Sequence, residues 1–328
     1  MTDGLFGRKF EDMEMNHTRL EFIGSAAATI VAPEVFADDS GSPSPVTAAE
    51  DAVLDKWQKE TDLATSGLYG KYLRDGNTRG LASLEKLEVG FEKVMREAKE
   101  TVVTDDAPAI WSVYNMGFIV KTRTAMFSID LVHRRASEFA PLLDFALITH
   151  NHADHWRRDF YDAMNGAGKT VVSNFLDNYG AADWRKGGSK WHENGGYTRG
   201  EKEFRLRDIM VRTSLIDHND YLIDFTTAFE IKIGDFLLYH TGDSGRGTEP
   251  KLKTVWGRPD LWLMFPGCGI DVAKAVSRIA PKKLVFGHLW ELGHKTGRLT
   301  APLVRRALVS ARPHCGDVSF ALWGNRVA

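Results

Sequence analysis

The chain has 328 residues, 43% of them hydrophobic and 26% charged, with a formal net charge of −2. This length suits one large domain or two modest ones, the composition is ordinary for a globular protein, and the charge gives no sign of a polyanion-binding surface. Two cysteines, Cys268 and Cys315, exclude a disulfide scaffold and a cysteine-rich zinc site. No window of 18 apolar residues is present, so no integral membrane segment is expected.

The first 45 residues are predicted to precede the folded part of the chain. Residues 22–32 are apolar or small, a run too short to span a membrane, and residues 35–37 (VFA) offer small residues to a signal peptidase. The segment resembles a bacterial export signal of the twin-arginine type, except that Arg19 stands alone, and residues 38–45 read as a linker. The protein is therefore expected to be periplasmic or secreted if this signal acts, and otherwise cytoplasmic.

Residues 46–105 are predicted to form a helical extension. The segment "VTAAEDAVLDKWQKE" spaces Ala49, Val53 and Trp57 at intervals of four, and residues 81–100 space their apolar side chains at threes and fours. No cluster of catalytic residue types occurs in these helices. They are expected to form a cap or a wall for a domain at residues 106–328.

After Asp105 the pattern changes to short segments rich in aromatic and β-branched residues, such as "AIWSVYNMGFIVKT", "DFALITH" and "DLWLMF". Helical patterns, for instance residues 271–280, lie between some of them. This alternation predicts an α/β fold. The stretch "IKIGDFLLY" reads as a hairpin that turns at Gly234 and Asp235, which indicates a mixed sheet rather than a purely parallel one.

Side chains that bind metals are concentrated where predicted strands end. The apolar strand at residues 145–148 is followed within a few positions by His150, His152, Asp154 and His155. Later strands are followed in the same way by His218, Asp243 and His288. Neutral imidazoles and carboxylates suit zinc, iron or manganese. Glycines beside Asp243 and His288 allow the backbone to turn sharply and bring these ligands close.

The set of residues resembles the metallo-β-lactamase superfamily of metal-dependent hydrolases, over roughly residues 110–328. The resemblance implies an αββα sandwich of two mixed β-sheets with outer helices, and a metal site at one edge of the sandwich. It implies that one metal is held by His150, His152 and His218. It implies that a second is held by Asp154, His155 and His288. Asp243 would bridge the two.

This resemblance also implies a cofactor and a mechanism. Two divalent metal ions are expected, with zinc as the default because His and Asp ligands suit it, and with iron or manganese as alternatives. A hydroxide that bridges the ions would be the nucleophile, and Asp154 would ligate and could orient the hydroxide or accept its proton. Four further residues could contact and position the metal ligands or contact the substrate: Asn115, Asp130, His240 and His294. For His240 a packing role is favoured over a ligand role.

The segment "FLLYHTGDSG" followed by "FGH" looks most like the branch with sugar-lactone hydrolases and phospholipase-D-type phosphodiesterases. The expected substrate is therefore a small-molecule ester, lactone or phosphodiester, with no nucleic-acid partner. One alternative is a metal-dependent nuclease or cyclic-nucleotide phosphodiesterase, for which residues 156–160 and 183–190 offer a weak basic surface. The other alternative is a non-catalytic protein of the same fold. The sequence leaves the oligomeric state open.

Overall fold

The structure is a computed structural model, and it describes residues 46–61, 66–78, 80–175, 201–292 and 300–328. These residues belong to a single compact unit. The predicted export signal and linker, His294 and the basic stretch at residues 183–190 lie outside the described residues. No described helix is both long enough and apolar enough to cross a bilayer.

Two β-sheets form the centre of the unit. The first contains β1 (Ala109–Ser112), β2 (Phe118–Lys121), β3 (Met126–Ile129), β4 (Phe145–Ile148) and β5 (Thr170–Ser173). The second contains β6 (Lys202–Leu206), β7 (Ile209–Ile216), β8 (Thr226–Ile233), β9 (Phe236–His240), β10 (Leu261–Met264), β11 (Lys283–Phe286) and β12 (Asp317–Phe320). Each sheet runs in the order of its strands along the chain.

Both sheets are mixed, as predicted. In the five-stranded sheet β1, β2 and β3 pair antiparallel, and β3, β4 and β5 pair parallel. In the seven-stranded sheet β6 to β9 are antiparallel and β9 to β12 are parallel. The predicted hairpin is present as the β8–β9 pair, in which Gly234 takes a φ of 56° that favours glycine at the turn.

The alternation of side chains along the strands divides the core into layers. Phe118 and Val120 of β2 share an apolar cluster with Leu261 and Leu263 of β10, so the inner faces of the two sheets pack on each other. Residues that alternate with these along the strands, such as Trp262 between Leu261 and Leu263, belong to a second cluster that also contains residues of the helices. The predicted αββα sandwich is therefore confirmed.

The described helices form the outer layers. They are α1 (Ala48–Glu60), α2 (Ser66–Asp75), α3 (Ala82–Glu100), α4 (Arg158–Gly166), α5 (Val272–Ile279) and α6 (Ala301–Ala311). Helix α3 packs on β2, α4 on β5 and α6 on β12, and α1 contacts α6. Leu87 and Phe91 of α3 are fully buried in the helical cluster, so this helix shares its core with the sandwich.

The topology explains why the candidate ligands can meet. In the five-stranded sheet the segments after β1, β3 and β4 carry Asn115, Asp130 and His150. In the seven-stranded sheet the segments after β7, β9 and β11 carry His218, Asp243 and His288. All of these positions lie at the carboxyl ends of strands, and such ends are where loops converge to form sites in α/β folds.

Candidate metal centre

The structure brings all the predicted ligands together in two overlapping groups that could each hold a metal ion. The three-histidine group consists of His150, His152, His218 and Asp243. The two-aspartate group consists of Asp154, His155, His288 and Asp243. Within each group the candidate ligand atoms lie within 4.8 Å of one another.

Asp243 belongs to both groups and faces each with a different oxygen. Its Oδ2 lies 3.4 Å from His218 Nε2 and 4.0 Å from His150 Nε2. Its Oδ1 lies 3.1 Å from His155 Nε2 and 3.5 Å from His288 Nε2. Tetrahedral zinc with bonds of about 2.0–2.1 Å holds its ligand atoms about 3.3 Å apart. The spacing therefore fits two ions bridged by one carboxylate.

A turn after β4 separates the first four ligands into the two groups. The backbone N–H of His155 donates to the carbonyl of His152 at 2.9 Å, which closes a tight turn over this segment. The turn leaves His150 and His152 in the three-histidine group and directs Asp154 and His155 into the other. Four ligands from one short loop can therefore serve two ions.

Asp130, at the end of β3, fixes the orientation of His155 from behind. Its carboxylate accepts hydrogen bonds from the backbone N–H and the hydroxyl of Thr149, both at 2.7 Å, and lies 2.8 Å from His155 Nδ1. Because a carboxylate accepts, His155 Nδ1 carries a proton, which leaves Nε2 as the atom that faces Asp243. Burial acts to lower the pKa of His155, but Asp243, Asp154 and Asp130 outweigh it and raise this pKa well above its usual range, so Nε2 also carries a proton in the metal-free protein. His150 Nδ1 lies 3.0 Å from the Thr149 hydroxyl oxygen, which orients that ring in the same way.

Several buried polar atoms of the centre make no hydrogen bond within the described residues. Two of them are His288 Nδ1 and Asn115 Oδ1, and the candidate ligand atoms among them are the Nε2 atoms of His150, His155 and His218, and Oδ1 of Asp243. Buried polar atoms in native proteins are almost always satisfied. A metal ion in each group would satisfy these ligand atoms, so the residues present fit the two ions that the sequence predicts.

The electrostatics of the centre favour bound cations. Burial lowers the pKa of His150, and it lowers the pKa of His152 to about 4, so both rings are neutral near pH 7, as metal ligands must be. Burial also acts to lower the pKa of His288, but Asp243 and the hydrogen bond that His288 Nε2 donates to Asp154 outweigh it and raise this pKa to about 9. The carboxylates of the two-aspartate group therefore attract positive charge strongly.

The structure also places the residues that were predicted to support the site. Asn115 has a φ of 50°, its carbonyl accepts a hydrogen bond from the His288 N–H at 3.0 Å, and its amide nitrogen lies 3.4 Å from Asp154 Oδ2. It therefore contacts the two-aspartate group twice. His240 is buried with Nε2 at 3.1 Å from the Met116 carbonyl, outside both groups.

Sequence reasoning missed several residues that contact the ligands, among them Thr149, Glu291, Phe225 and Asn219. Thr149 and Glu291 lie behind the ligands, with Glu291 Oε2 at 3.7 Å from His288 Nδ1. The ring of Phe225 packs against all three histidines of the three-histidine group, at centroid distances of 5.2–5.9 Å. An acid three positions after His288 was a visible signal for Glu291, whereas nothing in the sequence marked Phe225.

Comparisons with known proteins are limited to solved structures, because no family model and no curated protein matches the chain. Igni18, a metallo hydrolase from the archaeon Ignicoccus hospitalis, is 18% identical over 67% of this chain and 97% of its own, with a TM-score of 0.49. YhfI, a metallo-β-lactamase fold protein from Bacillus subtilis, is 13% identical over 66% and 95%, with a TM-score of 0.47. CmlA, a diiron β-hydroxylase from Streptomyces venezuelae, is 16% identical over 67% and 53%, with a TM-score of 0.48. Similarity of this extent does not establish an activity or a substrate.

Proposed function

We propose that this chain is a dinuclear metal-dependent hydrolase of the metallo-β-lactamase superfamily that cleaves an ester, lactone or phosphodiester bond of a small molecule. One observation carries the proposal: Asp243 turns one carboxylate oxygen to each of two groups of buried ligands, whose histidine Nε2 atoms lie 3.1–4.0 Å from it. A buried carboxylate in this position suits a bridge between two cations.

Two bound divalent cations would supply a water nucleophile activated near neutral pH and would polarise the carbonyl or phosphoryl oxygen under attack. Asp154 is the residue best placed to handle the proton of that nucleophile. Its side chain is 17% exposed, against 6% for Asp243, so it is the more accessible of the two acids of the centre. Its Oδ2 lies 2.9 Å from His288 Nε2 and 3.4 Å from the Asn115 amide nitrogen, which hold the carboxylate in place.

Burial alone would raise the pKa of Asp154, but His155 and His288 outweigh it and hold that pKa well below its usual range. Asp154 is therefore a carboxylate at neutral pH, able to accept a hydrogen bond from the nucleophile and to orient it. Zinc is the metal we expect, because imidazole and carboxylate ligands suit it, although iron and manganese accept the same ligands.

The basic segment after the first ligands gives little support to the nuclease alternative. Arg157 pairs with Asp159 at 2.6 Å and Arg158 pairs with Asp162 at 2.8 Å. Because each cation lies beside a carboxylate, this part of the described surface has little net positive charge to offer a phosphate backbone. A small-molecule substrate is therefore the better proposal.

The test compares metal content and turnover in the wild type, Asp243→Ala and His152→Ala. We expect about two metal ions per wild-type chain by elemental analysis, with hydrolysis of a chromogenic phosphodiester, an aryl ester or a lactone. Asp243→Ala removes the bridge and should lose metal from both groups and nearly all activity, whereas His152→Ala should lose metal mainly from the three-histidine group.

The matched control is His314→Ala, which removes an exposed histidine far along the chain from every ligand. It should retain both the metal and the activity. Wild-type protein with no stoichiometric metal, or variants that keep full activity, would contradict the proposed hydrolase. The substrate that turns over fastest decides between carbonyl and phosphoryl chemistry.

A further inference from the structure

We propose that the two groups bind metal unequally, and that the two-aspartate group fills before the three-histidine group. This inference rests on the proposed function, because it assumes that both groups hold a metal. It comes from the side chains that lie behind the ligands, which differ in charge and in hydrogen-bonding direction between the two groups.

The two-aspartate group lies in the more negative surroundings. Besides its own two carboxylates, each of its histidines has a further carboxylate behind it. Asp130 Oδ2 lies 2.8 Å from His155 Nδ1, and Glu291 Oε2 lies 3.7 Å from His288 Nδ1. Asp130 and Glu291 are 0% and 5% exposed, so water and salt screen them little. A carboxylate that hydrogen-bonds to a metal-bound histidine, as Asp130 does to His155, makes the ring a better ligand, by about 10- to 100-fold in metal affinity. Glu291 makes no hydrogen bond to His288 Nδ1, but its buried negative charge attracts a cation.

Behind His150 and His218 of the three-histidine group, the corresponding places are taken by neutral side chains. His150 Nδ1 lies 3.0 Å from the Thr149 hydroxyl, and His218 Nδ1 lies 3.2 Å from the amide nitrogen of Asn219. The apolar ring of Phe225 packs against both rings. The one carboxylate of this group is Asp243, which it shares.

The direction of the Asn219 hydrogen bonds further weakens this group. Asn219 Oδ1 accepts from the backbone N–H groups of Tyr221 and Leu222, both at 2.9 Å, which fixes the amide with its NH₂ group toward His218. An NH₂ group donates, so His218 Nδ1 accepts, and a neutral imidazole then carries its proton on Nε2. Nε2 is the atom that faces Asp243, so His218 must give up this arrangement before it can bind a metal.

His155 in the two-aspartate group has the opposite arrangement. Its Nδ1 keeps its proton in the hydrogen bond to Asp130, so the proton that a metal displaces is the one on Nε2, the atom that faces the shared carboxylate. Binding there requires no change of tautomer at this ring. Charge and hydrogen-bonding direction therefore favour the same order of filling.

Calorimetric titration of metal-free, full-length protein with Zn²⁺ tests the order. We expect two binding steps in the wild type whose dissociation constants differ by about 10-fold or more. His152→Ala should keep the tight step and lose the weak one, and His288→Ala should keep only the weak step. These readouts measure binding and do not depend on turnover.

Two isosteric variants test the cause. Asn219→Asp places a carboxylate behind His218 while an oxygen still accepts the two backbone N–H groups, so the weak step should tighten by about 10-fold and the tight step should not change. Glu291→Gln removes a buried negative charge 3.7 Å from His288 Nδ1 and should weaken the tight step while it spares the weak one. His314→Ala is the control that leaves both steps unchanged, and thermal unfolding confirms that each variant is folded.

Each outcome has a definite meaning. Two equal steps, or a tight step that survives in His288→Ala and disappears in His152→Ala, would overturn the order of filling and leave the proposed hydrolase intact. An Asn219→Asp variant that folds but does not tighten the weak step would overturn the role of Asn219. Wild-type protein that binds no zinc would overturn the metal centre, and the order of filling with it.

Discussion

Gly245 shows how closely the backbone must approach the metal centre. Its N–H donates to the Asp217 carbonyl at 2.8 Å, and a Cβ built on it would lie 1.8 Å from the carbonyl oxygen of His218. Only a residue without a side chain fits between the Asp243 segment and the His218 segment. The glycine therefore fixes the distance between two ligands without binding metal itself.

We predict that Gly245→Ala moves His218 away from Asp243. The added methyl group meets backbone rather than a flexible side chain, so we expect a loss of about 1–3 kcal/mol in the free energy of unfolding. We also expect weaker zinc binding at the three-histidine group. Denaturant unfolding and zinc titration measure the two effects. Gly316→Ala is the control, because its Cβ would meet nothing within 4 Å, and equal behaviour of the two variants would refute the role of Gly245.

The sequence predicts the candidate ligands of the centre but not the residues that contact and orient these ligands. The histidines and aspartates were recognisable because they follow apolar strands at fixed spacing, and the structure brings them together. Thr149 and Glu291 have no such pattern, since a hydroxyl or a carboxylate behind a ligand is defined only by tertiary contact. The direction of the Asn219 amide depends likewise on the local loop, which no residue spacing encodes.

Helix α1 is tied to the segment that carries His288. Gln58 Oε1 lies 3.2 Å from both the indole N–H of Trp290 and the backbone N–H of Ala301, and the ring of Trp57 packs edge-on against Trp290. His288 and Trp290 both have positive φ, at 60° and 56°, which is a strained conformation for residues with side chains. The helix thus helps to hold a strained segment in place.

We predict that Gln58→Leu destabilises the protein by about 1–3 kcal/mol, because it leaves the N–H of the fully buried Trp290 ring without its acceptor. Urea unfolding of the metal-free protein measures this change. Gln58→Glu keeps an acceptor and should recover most of the stability. Asp55→Asn is the control, since Asp55 also ties α1 to α6, through Arg305 at 2.7 Å, but at an exposed position where an ion pair contributes about 0–1 kcal/mol.

Secondary structure was predictable where the apolar pattern was strong. The strands that the sequence marked by aromatic and β-branched runs are present, including β4, β10 and the β8–β9 hairpin. Strand β6 was missed because it is a short, largely exposed edge strand in which only Phe204 and Leu206 are apolar. Helix α4 was missed as well, since its sequence reads as a polar and basic loop after the ligands.

A buried polar cluster around His133 connects the helical layer to the sandwich. His133 lies after β3 with its ring stacked on Phe91 of α3, at a centroid distance of 4.0 Å. Its Nδ1 accepts from the Arg135 N–H, and Nε2 lies 2.9 Å from the hydroxyl of Tyr72, which donates to Glu88 at 2.8 Å. A neutral imidazole therefore makes one hydrogen bond with each of its two ring nitrogens.

Protonation of His133 is opposed by the fold. Burial lowers its pKa to about 3 from an ordinary value of 6.5, and Arg134 and Arg135 act in the same direction, against Glu138. Between these two pH values the unfolded chain binds a proton that the folded chain does not. Stability should therefore decrease as the pH falls from about 6.5 toward about 3, by at most about 1.4 kcal/mol per pH unit from this residue.

We predict that His133→Gln removes this contribution. The amide has no titratable proton in this range and can still hydrogen-bond to Tyr72, so the variant should lose less stability than the wild type between pH 6 and pH 4, whatever its stability at pH 7. Urea unfolding of both proteins with a chelator present measures the difference, because the other titrating groups of the metal-free chain then cancel. His314→Gln, at an exposed position, should follow the wild-type pH dependence. Parallel curves for the wild type and His133→Gln would mean that His133 takes up its proton without leaving the core, and that the contact between helix and sandwich tolerates a buried charge.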